Sequence, residues 1–126
     1  MSLDPLVFDV FARNCTSRPV METVAGRWGI LTLAALHEGT HRFNELRRRV
    51  DGVSEKMLSQ TLHALVRDGL VVREVHSAIP PRVEYSLTDS GTRIAAKLVE
   101  LIELVEAEMP RISLAQERYD AGENPA

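Results

Sequence analysis

Five side chains between Lys56 and Arg67 carry the chemistry that stands out in this sequence. Lys56, Ser59, Gln60, His63 and Arg67 recur at helical spacing, and Leu58, Leu62 and Leu65 fall on the opposite side of the same helix. Any amphipathic helix has a polar face. This one is unusual in composition, because each member donates hydrogen bonds or both donates and accepts, and none is an acid. Such a face suits an acceptor-rich groove in a polyanion. Gln pairs bidentately with adenine, while Lys and His meet guanine or phosphate. Ser54, placed to cap the helix, and Thr61 add hydroxyls for phosphate contacts. Arg67 fits either a phosphate contact or an ion pair with Asp68.

The charge distribution agrees. The chain of 126 residues has a net charge of -3, yet residues 41–82 hold eight Arg and Lys against five Asp and Glu. That segment is therefore +3 and the rest is -6. A basic middle between acidic ends points to a polyanionic partner, set against the plain alternative of a solvated mixed surface. Arg42, Arg47 and Arg48 are candidate phosphate contacts, as are Arg73, His76 and Arg82 farther on. Those last three could equally be solvated strand residues, with the arginines pairing to Glu74 and Glu84.

Catalytic readings fare poorly. His37-Glu38-Gly39-Thr40-His41 matches the H-E-x-x-H zinc-protease pattern, but Gly39-Thr40 falls where a helix should stop, so the histidines are not expected to converge on a metal. No G-x-S-x-G, phosphate-cradling glycine loop or C-x-x-C occurs, and carboxylates such as Glu100 and Glu103 read as a solvated helix face. No enzyme, metal or cofactor is expected. Hydrophobic residues make 44% of the chain and charged residues 26%, the mixture of one globular domain, with aromatics at only 5% so that aliphatic side chains must fill the core. The opening Met-Ser-Leu-Asp-Pro does not read as a signal peptide, no apolar run is long enough to span a bilayer, and the single Cys15 forbids an internal disulfide. A cytoplasmic protein is expected.

The elements that must position these residues follow from periodicity and caps. Leu3–Arg13 has helical apolar spacing with Pro5 in its first turn, and so apolar a chain end is expected to pack on a partner. Helices are expected from a start signal at Thr16-Ser17-Arg18-Pro19 to about Ala25, from Trp28 to His37, from Phe43 to Val50 and from Glu55 to Asp68, with Asp51-Gly52 as a tight turn. A small strand falls at His41–Phe43. Leu70–His76 and Arg82–Leu87 alternate as strands joined by a stiff loop over Ser77–Pro81. Thr88 caps a long last helix with a near-heptad stripe of Ile94, Leu98, Leu101, Ile102, Val105, Met109 and Ile112, which Pro110 should kink or end. The tail Asp120–Ala126 should fray. Helix, turn, helix and β-hairpin in this order make a winged helix-turn-helix, mainly α with a small β-hairpin wing, whose second helix reads DNA.

The linked runs Arg27-Trp28-Gly29-Ile30-Leu31, Arg42-Phe43-Asn44-Glu45-Leu46-Arg47, Val53-Ser54-Glu55-Lys56-Met57-Leu58-Ser59-Gln60, Asp68-Gly69-Leu70-Val71 and Pro80-Pro81-Arg82-Val83-Glu84-Tyr85-Ser86-Leu87-Thr88 resemble the HxlR-type transcriptional regulators, relatives of the MarR regulators. The resemblance spans roughly Cys15 to Val105 and implies a dimeric winged-helix protein that binds operator DNA. It implies that the helix from Glu55 enters the major groove, with Ser54, Lys56, Met57, Ser59, Gln60 and His63 near the bases, and that the N- and C-terminal helices make the dimer. Cys15 aligns with a cysteine that senses electrophiles or oxidants in some members. Its chemistry here is suggestive, since it stands near a helix N-terminus with Arg13 and Arg18 close by; the bland alternative is a buried small hydrophobe.

The expectation is thus a dimerisation helix over 1–14, a DNA-binding core over 15–88, a second dimerisation helix over 89–118 and a flexible tail over 119–126. The expected partners are double-stranded DNA, a second copy and a small-molecule effector, with no membrane. The competing reading is a winged-helix module for protein–protein contact without DNA binding.

Overall fold

The computed structural model of the chain describes residues 7–76 and 79–123. The elements are α1 (Ser17–Ala25), α2 (Arg27–His37), β1 (His41–Arg42), α3 (Phe43–Arg49), α4 (Glu55–Arg67), β2 (Val71–His76), β3 (Arg82–Leu87) and α5 (Asp89–Asp120). The strands form one antiparallel sheet in the order β1-β3-β2. The molecule is a winged helix-turn-helix, mainly helical, with the β2–β3 hairpin as its wing.

Aliphatic packing fixes the angle between the helices. Leu33 and Leu36 of α2, Leu46 of α3, and Leu58, Leu62 and Leu65 of α4 are all but fully buried, together with Val50, Val53, Leu70, Val71, Tyr85 and Ala95. The turn between α3 and α4 closes at Gly52, whose φ of +92° lies in the left-handed region that an L side chain rarely enters. Val50 and Val53 on either side of it point into the core, so the turn is pinned from both ends. At the start of α5, the Thr88 hydroxyl donates to the Gly69 carbonyl (2.7 Å) and accepts the Gly91 N–H (3.0 Å), which ties the helix to the end of α4. A Cβ at position 91 would sit 1.9 Å from the Leu70 carbonyl oxygen, so this docking requires glycine.

Two elements differ from expectation. The helix expected over Leu3–Arg13 is absent in its described part; residues 1–6, with Leu3, Pro5 and Leu6, lie outside the described residues. From Asp9 the chain turns instead. The Asp9 carboxylate accepts the Phe11 N–H (3.0 Å) and the Asp9 carbonyl accepts the Ala12 N–H (3.0 Å). An Asp side chain that bonds its own neighbouring backbone competes with the helical ladder. Pro110 does not end α5, which continues to Asp120 and so takes Tyr119 and Asp120 out of the expected tail. Proline removes one hydrogen bond, and residues 107–111 are largely exposed, so water can satisfy the orphaned carbonyl. Residues 77–78 of the wing loop and 124–126 of the tail lie outside the described residues.

Candidate nucleic-acid interface

Helix α4 begins at Ser54, whose hydroxyl accepts the Met57 N–H (3.0 Å). From there the leucines set the phase. With Leu58, Leu62 and Leu65 at 0%, 1% and 0% exposure, helical geometry places Ser59, His63, Lys56, Arg67 and Gln60 on a fan about 100° wide on the far side. All five are exposed, as are Ser54 and Met57. The ridge is rigid because three buried leucines would have to leave the core for it to roll.

Gln60 and Met57 stand at one edge of the fan. With Thr61 they line an open groove against Arg27, Trp28 and Gly29 at the start of α2. The Arg27 guanidinium lies 5.6 Å from the centre of the Trp28 ring. Sequence reasoning missed Arg27 as part of this surface, because it lies outside the basic segment 41–82. The helix phase of Trp28 relative to Gln60 becomes visible only once α2 and α4 pack.

The three arginines at the end of α3 divide. Arg49 folds back on Glu38 at the end of α2, with Nε and Nη2 on the two carboxylate oxygens at 2.8 and 2.5 Å. This pairing holds Glu38 below the usual carboxylate range and raises Arg49. Arg47 and Arg48 are exposed and make no ion pair among the described residues. Arg42, at the N-cap of α3, donates its backbone N–H to the Glu45 carboxylate (2.7 Å), a bond that lowers the Glu45 pKa and leaves the guanidinium outside the cap. Arg67, itself exposed, has the largely covered Asp68 carboxylate at 3.5 Å.

The wing does not gather its basic residues on one face. Register pairs Arg73 with Tyr85 and His76 with Arg82. Strand alternation therefore sends Arg73 to the side of Val71 and Tyr85, and sends His76 and Arg82 to the other. There Arg42, paired with Glu84 across β1 and β3, joins them. The acid on Glu84 is taken by His76 (Nε2 to Oε1, 2.7 Å), not by an arginine. Arg73 and Arg82 make no ion pair among the described residues.

The H-E-x-x-H run is dismantled by the backbone. Helix α2 ends at His37, Gly39 takes φ +150°, and His41 opens β1 with its Nδ1 2.7 Å from the Gly39 carbonyl oxygen. Glu38, the residue that would act as base, is the one held by Arg49. Among the described residues no helix is long and apolar enough to cross a membrane.

Cys15 lies just before α1 and is half-buried. Its Sγ is 3.2 Å from the Ser17 hydroxyl and accepts the Asp9 N–H at 3.3 Å. Hydrogen bonding, first from the Ser17 side chain and backbone and then from Asp9, holds the thiol below its ordinary pKa. Arg13 and Arg18 have no part in that shift, contrary to the sequence argument.

The model of the HxlR-like helix-turn-helix family matches residues 23–113. The chain is 48% identical over 104 residues to the HTH-type transcriptional regulator YtfH of Escherichia coli, covering 82% of each. Among solved structures, the transcriptional regulator ytfH from Salmonella typhimurium is 46% identical with a TM-score of 0.83, over 89% of this chain and all of that one. The redox regulator HypR in its reduced form is 31% identical with a TM-score of 0.70, over 77% of this chain and 96% of that one.

Proposed function

The chain belongs to the HxlR-like helix-turn-helix family of transcriptional regulators, and from that premise we propose that it binds double-stranded operator DNA sequence-specifically, as a homodimer on a palindromic site. It is a regulator and not an enzyme. The observation that carries the reading is the outer face of α4: exposed donors without an acid, locked in phase by three buried leucines.

In this reading α4 lies in the major groove, where Lys56, Ser59, Gln60 and His63 select bases, with Ser54 and Met57 at the helix start. Arg42, Arg47, Arg48 and Arg67 meet the phosphates flanking the groove and give most of the affinity, and Arg27 extends that surface beside Gln60. The split wing divides its labour. Arg82 and His76 reach one strand from the outer face of the hairpin, and Arg73 meets the backbone from the inner one. Two copies of α4 about 34 Å apart would enter successive major grooves. The dimer draws support from α5, whose stripe is buried at Leu98 but uncovered at Leu101, Val105 and Met109. Residues 1–14 and 89–118 would pair two copies of the 15–88 core, with the protein working in the cytoplasm and answering to a small-molecule effector.

A fluorescence anisotropy titration with duplex genomic fragments at two salt concentrations tests this. A subset of fragments should bind at least 10³-fold tighter than bulk DNA, with affinity falling as salt rises. Uniform weak binding to all fragments would favour a protein-contact module instead.

We assign Cys15 the role of a thiol sensor, on the hydrogen bonds to its sulfur from Ser17 and Asp9 that favour its thiolate. A depressed pKa means more thiolate at neutral pH and faster alkylation there. The pH midpoint of iodoacetamide alkylation should lie below that of a free thiol, and Ser17→Ala should move it up. A midpoint unmoved by Ser17→Ala removes the activating contact.

A further inference from the structure

An apolar groove of about 750 Å³ runs between α1 and the first half of α5, a size usual for small-molecule sites. Its floor is aliphatic and continuous with the core: Val24 and Leu98 are buried, and Val20 and Ile94 are half-buried against them. Met21 and Phe8 stand at its rim, 50% and 59% exposed. The turn at Asp9 brings Phe8 and Val10 to the rim by holding the segment before α1 close to Cys15.

The polar edge of this groove has one sign. Among the described residues, Arg93 and Lys97, one turn apart on α5, are its only charged members, and Thr16 and Ser17, whose hydroxyl is shared with the Cys15 thiol, lie at the start of α1. No carboxylate among the described residues lines it, in a chain whose net charge is negative. Both cations have loose partners. Lys97 is 3.4 Å from Glu100 in a pair that is 81% and 65% exposed, and Arg93 reaches only the Ser90 hydroxyl at 3.5 Å. An aliphatic trough lined by two exposed cations is complementary to a molecule with an alkyl body and an anionic head.

We propose that this groove binds a medium-chain alkyl carboxylate, its chain on Val20, Val24, Ile94 and Leu98 and its carboxylate between Arg93 and Lys97. This rests on the effector part of the proposed function and names the class of the effector, which would lie against Phe8 and Val10 and the first half of α5, within the two segments given above to pairing, so that ligand and second copy meet at this groove. An aromatic acid would find only Phe8 to stack on, whereas an alkyl chain meets aliphatic side chains along the whole floor.

Isothermal titration of the full-length protein, without DNA, with decanoate below its micelle concentration, decanol and decyltrimethylammonium tests the site. Decanoate should bind once per chain and at least tenfold tighter than decanol, with decyltrimethylammonium weaker still. The Arg93→Ala, Lys97→Ala double variant should lose tenfold or more for decanoate while binding decanol unchanged. Both groups are exposed at the groove edge, so the variant should keep its melting temperature. Val20→Phe, which fills the trough, should weaken all three probes. Equal affinity for decanoate and decyltrimethylammonium overturns the proposal, as does full decanoate binding by the double variant. So does failure of decanoate to bind while the double variant shifts the monomer–dimer equilibrium, which would give the groove to a second copy. Because no DNA is present, a failure of operator binding leaves this result standing.

Discussion

Helices α4 and α5 are both amphipathic, and both bury an aliphatic stripe in the same core, yet they present opposite faces to solvent. The outer side of α4 is Lys56, Ser59, Gln60, His63 and Arg67, groups that water solvates well and that a polyanion can take over. Beyond Leu98, the stripe of α5 instead leaves Leu101, Val105 and Met109 at 48%, 45% and 38% exposure, with Leu104 at 59% beside them. A monomer rarely leaves so much contiguous apolar surface open. The two exposed faces therefore call for different partners: a reversible, salt-sensitive one at α4, and a lasting apolar one at α5. The same aliphatic chemistry that locks one helix in place makes the other incomplete.

That contrast can be broken from its inner side first. Leu62→Ala leaves the outer face of α4 intact but opens a cavity beneath it, and should cost about 2–5 kcal/mol of stability. Chemical denaturation would measure this, and DNA binding should fall with it because the ridge loses its phase. Next in size is the α5 face. Leu101→Glu with Val105→Glu should give a monomer by sedimentation with a nearly unchanged melting transition of the core. Its operator affinity should drop about 100-fold through lost bivalency, although α4 is untouched. A variant that stays dimeric would move the interface elsewhere.

Smaller effects sharpen the reading of α4 and its flank. Gln60→Ala should cost about 1–3 kcal/mol at the preferred duplex and relax specificity at one base pair. Arg48→Ala should weaken all duplexes alike and reduce the slope of log affinity against log salt by about one. Arg49→Ala is its control. Since Arg49 is tied to Glu38 in an exposed pair, its loss should leave both the stability and the salt slope nearly unchanged.

Much of this architecture was legible in the residues. The phase of α4 could be read because Leu58, Leu62 and Leu65 alone fix it, and its limits because Ser54 caps one end and Gly69 stops the other. The strand Arg82–Leu87 could be read from alternation bounded by Pro81 and Thr88. The N-terminal segment could not, because apolar spacing describes a helix only where a surface exists to bury it. Val7 and Phe11 remain 69% and 90% exposed, and the local bond from Asp9 decides the backbone instead. The pairing of Arg49 with Glu38, eleven positions away, and the place of Arg27 beside Gln60 arise from packing between helices, which no local pattern records. The split of Arg73 from His76 and Arg82 follows from strand alternation and was in principle countable, but counting charge along a segment ignores the side to which each residue points.

The central claim is that the outer face of α4 chooses bases while the flanking arginines supply affinity. Selection of bound duplexes from a random pool tests it most directly, run in parallel with the full-length protein and with its Lys56→Ala, Ser59→Ala, Gln60→Ala, His63→Ala variant. The parent should enrich a two-fold symmetric motif with half-sites about one helical turn apart. The folded variant should retain salt-dependent binding and enrich no motif. Enrichment of the same motif by both proteins would contradict the account.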